Sequence, residues 1–178
     1  QSAVRERNPE LPQAEARAAA EAVGVAALKY ADLSTDRIKD YLFSFNRMLA
    51  FEGDTGPYLL YAYVRVRSIF RKAAERGAGE AWRTAALDPR QGAKKQLALV
   101  LLRYPGAVRG MAEAMEPHRL CQYLFELAGA FSVFFDQCPV LAAEREGVRD
   151  SRLRLCDLTA RVLADGLSVL GIPVIERM

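Results

Sequence analysis

The sequence predicts an all-α protein, a helical bundle, and two observations favour this class. Proline stands at three positions where a helix can begin: Pro89, Pro105 and Pro117. Proline suits the first turn of a helix because its missing N–H would be unbonded there. Apolar residues then recur every three or four positions, which is the period of one buried helix face.

The composition is that of a globular protein. The 178 residues are 51% hydrophobic and 26% charged, which excludes disordered and fibrous classes. A net charge of +3 is a mild basic bias and does not by itself identify a nucleic-acid binder. The start lacks a signal-peptide core and no apolar run approaches the roughly 18 residues that cross a bilayer, so we expect a soluble, cytoplasmic protein without membrane partners. The first residue is glutamine, which predicts a piece of a longer protein.

The first fifty residues predict a short helix followed by irregular structure. Residues 12–24 are rich in alanine and glutamate, and Gly24 is placed as a C-terminal stop. Residues 32–37 carry turn and capping residues. Residues 38–45 approach an apolar and polar alternation, which leaves a short strand and an irregular segment both open. A further helical turn is predicted at 46–50.

The segment from Gly53 to Gly77 predicts the helix around which the rest is organised. Asp54 and Thr55 can accept from free N–H groups at its start, and Gly77 suits a left-handed stop. One face is apolar and needs a partner: Leu59, Tyr63, Val66, Phe70 and Ala73. Another face interleaves aromatic and cationic residues: Tyr58, Tyr61, Arg65, Ser68 and Lys72. That face permits two interpretations, a surface that stacks bases and neutralises phosphates, or the solvated side of a half-buried helix.

Three more helices follow with marked starts. Asp88 is placed as a cap for a helix that runs to Tyr104, and Pro105 begins the next one. Pro117 opens a long helix that reaches Phe135. These boundaries rest on local signals alone.

A last helix is predicted from Asp150 to Leu170, with Gly171 as its stop. Pro173 prevents the helix from continuing, and the apolar residues around it predict a tail that packs back onto the bundle.

Catalytic and metal-binding motifs are missing. The sequence has no glycine-rich phosphate loop, no HExxH and no paired CxxC, and its one histidine, His118, falls in the first turn of a predicted helix. The cysteines are far apart among apolar residues and read as reduced core thiols: Cys121, Cys138 and Cys156. The sequence therefore predicts neither a catalytic residue nor a metal site.

Arginines crowd the entry to the last predicted helix: Arg145, Arg149, Arg152 and Arg154. Arg177 lies in the tail, and Phe134 and Phe135 end the preceding helix. If the loop brings these residues together, they form a cationic surface with aromatic planes, suited to unpaired bases flanked by phosphates. A solvated arginine face beside core phenylalanines is the other open interpretation.

Long segments of the chain resemble one known family. They are GVAALKYADLSTDRIKDYLFSFNRMLAFEGDTGPYLLYAYVRVRSIFRKA, FSVFFDQCPVL and SRLRLCDLTARVLADGLSVLGIPVIERM. In this order they resemble the end of the class I catalytic domain and the α-helical anticodon-binding (DALR) domain of arginyl-tRNA synthetases. The resemblance covers nearly the whole chain and is weak only between Ala74 and Glu116.

The resemblance implies two domains and a function. Residues 1–52 would be the C-terminal remnant of the catalytic domain, and residues 53–178 the anticodon-binding domain. The implied partner is the tRNA for arginine, bound at its anticodon stem-loop. The HIGH and KMSKS-like motifs would lie upstream of Gln1, so the chain alone is expected to be inactive and to need no cofactor. ATP with Mg and L-arginine would serve only the full-length enzyme, and we expect a monomer.

The resemblance also implies site residues. The anticodon-contacting aromatic of the family, usually tyrosine, aligns with Phe135, and its C-terminal methionine aligns with Met178. Leu60 and Tyr63 stand where many members have glutamine and histidine, which weakens any specific polar role there. The predicted tRNA-binding residues are Phe135, Met178, Arg149, Arg152, Arg177, Tyr58, Tyr61 and Arg65. A helical protein–protein interaction module without RNA binding is the alternative.

Overall fold

The computed structural model describes residues 9–40, 44–90, 92–143 and 145–178. These ranges contain helices and no strand, so the predicted all-α class is confirmed. A 3₁₀ helix, Glu80–Thr84, separates the third and fourth α-helices. In chain order the α-helices are α1 (Gln13–Leu33), α2 (Phe45–Met48), α3 (Gly56–Glu75), α4 (Gly92–Leu102), α5 (Tyr104–Ala114), α6 (Pro117–Gln137) and α7 (Glu146–Val169).

The core lies where α3, α4, α6 and α7 meet. Full burial of one leucine or phenylalanine side chain contributes about 1.5–3 kcal/mol, so these contacts dominate the stability of the bundle. The leucine, valine and phenylalanine side chains with 0% exposure in these helices are Leu59, Leu60, Val66, Leu97, Leu120, Leu124, Leu127, Phe131, Phe134, Leu153, Leu155, Leu163 and Leu167. The apolar face predicted for α3 is therefore confirmed, with Phe70 half-buried against the ring of Trp82 at 5.0 Å.

The ends of α3 follow from local signals. The N-cap is Thr55, whose Oγ1 accepts from the backbone N–H of Tyr58 at 3.2 Å, and Pro57 lies in the first turn. Gly77 follows the helix with a φ of 73°, as the predicted left-handed stop requires. Asp54 does not cap the helix, because its carboxylate accepts from the hydroxyl of Tyr30 instead.

α1 shows that the predicted stop at Gly24 was wrong. The helix continues through this glycine to Leu33. Its buried face packs on α3 on both sides of Gly24 and consists of Ala16, Ala19, Ala22, Val23, Ala26, Ala27 and Tyr30. A glycine inside a helix costs only about 1 kcal/mol relative to alanine, so the burial of this face outweighs it.

The contact between α1 and α3 is close enough that the two backbones touch. A Cβ added to Gly56 would lie 2.2 Å from the carbonyl oxygen of Ala26. The hydroxyl of Tyr30 lies 2.5 Å from Asp54 Oδ1 and 3.0 Å from the carbonyl oxygen of Cys121. We call these five residues the α1–α3 seam. The predicted boundary at residues 52 and 53 stays a prediction, and helices on its two sides share one core.

Residues 38–45 differ from the strand that the alternation left open. Residues 38–40 form a turn and a bend, and 41–43 lie outside the described residues. Ser44 caps the short helix α2, because its Oγ accepts from the backbone N–H of Arg47 at 3.5 Å. The irregular interpretation therefore fits the part of this segment that the structure describes.

Two helices begin elsewhere than predicted. α4 begins at Gly92 rather than Asp88, because the backbone N–H of Asp88 donates to Ser151 Oγ at 2.8 Å and its carboxylate pairs with Arg90. α7 begins at Glu146 rather than Asp150, and a glutamate in the first turn interacts favourably with the helix dipole.

The tail after α7 packs along α3, as predicted. Gly171 has a φ of 68° and ends the helix. Ile172 is 1% exposed and Met178 is 7% exposed. Within the described ranges, the structure has no helix with the length and apolar character needed to span a membrane.

Candidate nucleic-acid interface

Arg65 and Phe135 form a stacked pair where α3 meets the end of α6. The guanidinium carbon of Arg65 lies 4.1 Å from the centroid of the Phe135 ring. The half-buried Phe135 is backed by the fully buried Phe131, with ring centroids 6.1 Å apart. Asp136 Oδ1 accepts from Arg65 Nη2 at 3.3 Å and holds the guanidinium in place. The two stacked planes are of the kind on which unpaired bases stack.

Two neighbouring cavities lie between α3 and the tail, and Arg65 of this pair lines the first of them. The first has about 300 Å³ and is lined by Tyr61, Val64, Arg65, Ser68, Arg71 and Met178. The second has about 290 Å³ and adds Arg177 and the N-terminal residues Glu10, Leu11 and Pro12. Val64, Arg71 and Met178 line both cavities, which makes them continuous. We call these residues, together with Phe135, the α3–tail groove.

The groove is suited to an anionic chain with planar groups. Three of its residues are arginines, and Glu10 is the one acidic residue among those that line the two cavities. Each cavity lies at the lower limit of the roughly 300–1,000 Å³ typical of small-molecule pockets. A basic groove with aromatic side chains matches single-stranded nucleic acid, whose backbone follows the charge while its bases stack.

The tail reaches the groove because Glu176 is bound to α3. Its carboxylate accepts from the Tyr63 hydroxyl at 3.3 Å and from Arg67 Nε at 2.9 Å. Its carbonyl oxygen accepts from Arg71 Nη1 at 2.9 Å. The hydrogen bond to Glu176 raises the pKa of Arg67, and burial, followed by the charge of Glu176, raises the pKa of Tyr63. Both donors therefore keep their protons at neutral pH.

The structure brings five of the eight predicted site residues together: Phe135, Met178, Arg177, Tyr61 and Arg65. Tyr58 lies one turn before Tyr61 on α3, and its ring contacts Phe125 edge-on at 5.7 Å. This contact supports the packing of α3 on α6 and leaves Tyr58 half-buried outside the groove lining. Leu60 is fully buried in the core.

Arg149 and Arg152 lie outside the groove. Arg149 pairs with Asp150 at 3.0 Å and with Glu146 at 3.4 Å. Arg152 donates to the carbonyl oxygen of Pro139 at 2.6 Å and so holds the loop that follows α6. Phe134 is fully buried, so the loop does not bring both phenylalanines and the arginines to one surface. The predicted tRNA-binding role of Arg149 and Arg152 stays a prediction.

Sequence reasoning missed Arg71, Arg67 and Glu176. Arg71 lies seven residues after Val64 and therefore on the same face of α3, a helical spacing that the sequence already contains. The stripe predicted from the sequence took Lys72 instead, which is exposed. Nothing local marks Glu176, because its partners are more than a hundred positions away.

The three thiols lie in the interior of the bundle. All three cysteines are buried free thiols, as predicted. Burial raises the pKa of the Cys121 thiol to about 12 and also raises that of Cys156, so both stay protonated at neutral pH. His118 lies in the first turn of α6 and is half-exposed.

Comparison with known families gives the class of domain. The family model of the DALR anticodon binding domain matches residues 59–178, which hold most of α3, the rest of the bundle and the tail. A second model, described as the catalytic domain of class I (R) tRNA synthetases, matches residues 1–45. The bundle with its basic groove is therefore of the DALR anticodon-binding class.

Individual relatives narrow the class to one family. The arginine–tRNA ligases of Stutzerimonas stutzeri (strain A1501) and Pseudomonas syringae pv. syringae (strain B728a) are 50% and 47% identical over 175 residues, or 98% of this chain. The Thermus thermophilus arginyl-tRNA synthetase matches with a TM-score of 0.89 and 38% identity over 99% of this chain and 30% of that structure. The Plasmodium falciparum arginyl-tRNA synthetase matches with a TM-score of 0.78 and 31% identity over 92% of this chain and 28% of that structure.

The chain thus belongs to the arginyl-tRNA synthetase family, and the resemblance found in the sequence is confirmed. It spans about 30% of the length of the curated relatives that it matches.

Proposed function

We propose that this chain binds the tRNA for arginine at its anticodon stem-loop, in the service of an arginine–tRNA ligase whose chemistry is performed elsewhere. The observation that carries the proposal is the α3–tail groove, where Arg65 stacks on Phe135 beside a cavity lined by Met178. Membership of the DALR family supports RNA as the partner.

In this proposal, arginines bind the phosphates of the tRNA and planar side chains stack on its bases. Arg71 and Arg177 neutralise phosphates and set the register of the loop, as phosphate contacts do in nucleic-acid interfaces. The Arg65–Phe135 pair provides planes for an unpaired base. Tyr61 and Met178 provide contact surface in the adjoining cavity. Affinity then comes mainly from the arginines, and selectivity from the bases that stack.

The whole enzyme would also use L-arginine and ATP with Mg²⁺, and the residues of this chain do not fit that site. In the ranges that the structure describes, no cluster of three or more His, Cys, Asp and Glu residues could hold a metal ion. The sequence has no glycine-rich phosphate loop. We propose that this chain contributes tRNA binding and no step of the ligation, and that it acts as a monomer in the cytoplasm.

Binding to tRNA tests the proposal. The chain is titrated with arginine tRNA and with a tRNA of another anticodon, across a series of salt concentrations. We expect a preference for arginine tRNA, and a slope of about −2 in log affinity against log salt if three phosphates are neutralised. The variant Phe135→Ala should bind arginine tRNA roughly 5–150-fold more weakly, because stacking contributes about 1–3 kcal/mol per base.

Val133→Ala is the matched control, because Val133 is exposed on the same helix, two residues earlier, and outside the groove. It should leave binding unchanged. Absent binding, or salt-independent binding without preference for arginine tRNA, would overturn the proposal and favour the alternative, a helical adaptor for proteins.

A further inference from the structure

We infer that Glu176 is a positioning residue for the groove: it fastens the tail to α3 and thereby places Arg177 and Met178 against the bound anticodon loop. The inference rests on the proposed function and adds to it a residue that sets the selectivity of the site. Glu176 itself does not line either cavity of the groove.

Three donors on one face of α3 hold this single residue. Tyr63, Arg67 and Arg71 follow one another at intervals of four, so they lie above each other along the helix. The first two donate to the two carboxylate oxygens of Glu176, and Arg71 donates to its backbone carbonyl. The side chain and the backbone of Glu176 are therefore both held on α3. These contacts set the position of the tail and also the direction in which it continues.

The contact of Glu176 with α3 also restrains Arg177 and Met178, because these residues follow it directly in the tail. The tail leaves α7 at Gly171 and has no helix or strand of its own, so few backbone bonds restrain it. Arg177 and Met178 follow Glu176 directly, and two residues of extended chain reach at most about 7 Å. Fixing Glu176 therefore confines both side chains to the part of α3 that carries Tyr61, Arg65 and Arg71.

Electrostatics alone predicts the opposite effect of removing this carboxylate. The side chain of Glu176 is 61% exposed, and its charge repels phosphates. A variant without this charge should attract any RNA more strongly if Glu176 had no positioning role. A loss of affinity for arginine tRNA in that variant would therefore be evidence of positioning.

The test compares Glu176→Gln with Glu113→Gln. Both remove one negative charge, and Glu113 is exposed on α5. The amide of Glu176→Gln loses the charge that pairs with Arg67 and presents one oxygen in place of two, so it holds Tyr63 and Arg67 more weakly. We expect the preference for arginine tRNA over the other tRNA to fall about tenfold in Glu176→Gln and to stay unchanged in Glu113→Gln. Unchanged or tighter selective binding by Glu176→Gln would overturn the inference.

A double-mutant cycle separates positioning from a general loss of structure. If Glu176 acts through Met178, then Glu176→Gln should cost little further affinity once Met178→Ala is present. If the two substitutions reduced the affinity additively, Glu176 would not act through Met178. Arg67→Gln breaks the same contact from the side of α3, and it should reduce selectivity where Arg109→Gln, on the exposed surface of α5, does not.

A measurement without tRNA keeps the inference and the proposed function distinguishable. The protein has four methionines, and their ¹³C-methyl resonances report mobility one by one. In Glu176→Gln the Met178 resonance should narrow and shift while that of Met48 stays in place. If Met178 is released but wild-type protein shows no preference for arginine tRNA, the proposed function fails alone. If wild type is selective and Met178 stays fixed in the variant, the inference fails alone.

Discussion

The α1–α3 seam and the α3–tail groove both join a segment of chain to the same helix, and they are built differently. In the seam, Ala26 and Gly56 touch through their backbones, and a buried tyrosine hydroxyl contacts Asp54. Beside the groove, the Tyr63 hydroxyl contacts Glu176, whose side chain is 61% exposed and which holds the tail on α3. The seam is held by close packing, whereas the groove is held by ion pairs that solvent screens.

This difference separates stability from binding along one helix. The backbone contact between Ala26 and Gly56 leaves no room for a side chain between the two helices, so this part of the seam fixes α1 on the bundle. Half-exposed charges and rings can exchange their contacts for those of a ligand at small cost. Substitutions in the seam should therefore change the free energy of unfolding, and substitutions in the groove should change affinity for tRNA.

The largest effect on stability is expected from Gly56→Ala. The added Cβ would lie 2.2 Å from the carbonyl oxygen of Ala26, so the two helix backbones must separate. We expect the free energy of unfolding to fall by about 3 kcal/mol, measured by urea denaturation.

Gly24→Ala is the matched control for that change. Gly24 lies on α1, the helix that packs on α3, but a Cβ added there meets no atom within 4 Å. Alanine should stabilise the helix by up to about 1 kcal/mol. If Gly56→Ala were as harmless as Gly24→Ala, the seam would not be closely packed.

Alkaline pH should weaken the seam. Burial raises the pKa of the Cys121 thiol to about 12 and also raises the pKa of the Tyr30 hydroxyl. In the unfolded chain these groups lose their protons near their ordinary values of 9.0 and 10.0, whereas the folded protein retains them. Their contribution is complete below about pH 9, and it then falls by up to about 1.4 kcal/mol per pH unit for each group.

Urea unfolding between about pH 8 and 11 measures this loss. Above pH 10, the free energy of unfolding of Tyr30→Phe should fall less steeply with pH than that of wild type. The difference corresponds to about one proton, because the unfolded state of the variant has one hydroxyl fewer to ionise. An unchanged slope in this variant would assign the alkaline loss to other groups.

A pair of identical substitutions compares the two regions directly. Tyr30→Phe removes the hydroxyl that contacts Asp54 and Cys121, and it should cost about 1–2 kcal/mol of stability without changing affinity for tRNA. Tyr63→Phe removes the hydroxyl that contacts Glu176. It should cost at most about 0.5 kcal/mol but lower the preference for arginine tRNA several-fold. The reverse pattern would show that the division between stability and binding is wrong.

The parts of the fold that sequence predicted are those that depend on neighbours along the chain. Thr55 and Gly77 act within one turn of their own helix, and the bounds of α3 followed from them. The stop at Gly24 failed because the burial of α1 against α3 outweighs a local preference.

The site divides in the same way. Tyr61 and Arg65 share a helical face, so their spacing alone indicated a common surface. The pattern also named Phe135, but beside the arginines of α7; its predicted contact with the anticodon, like that of Met178, came from family resemblance, because no period relates the end of α6 to the tail. The contact of Glu176 with Arg67 joins residues 109 positions apart, and Arg152 meets Pro139 across a loop, so neither contact has a signal in the sequence.

The smallest change in stability is expected for the ion pair between Arg65 and Asp136 at the edge of the groove. Asp136 is 68% exposed on its side chain, so Asp136→Asn should change the free energy of unfolding by less than about 0.5 kcal/mol. Removing this charge leaves Arg65 available to phosphate, and at low salt the affinity for tRNA should rise about two- to threefold. Glu113→Gln, with the same change of charge on α5, should raise it less. Weaker binding by Asp136→Asn would instead mean that Asp136 is needed to hold Arg65 on the Phe135 ring. In that case an exposed ion pair would order the surface on which bases stack.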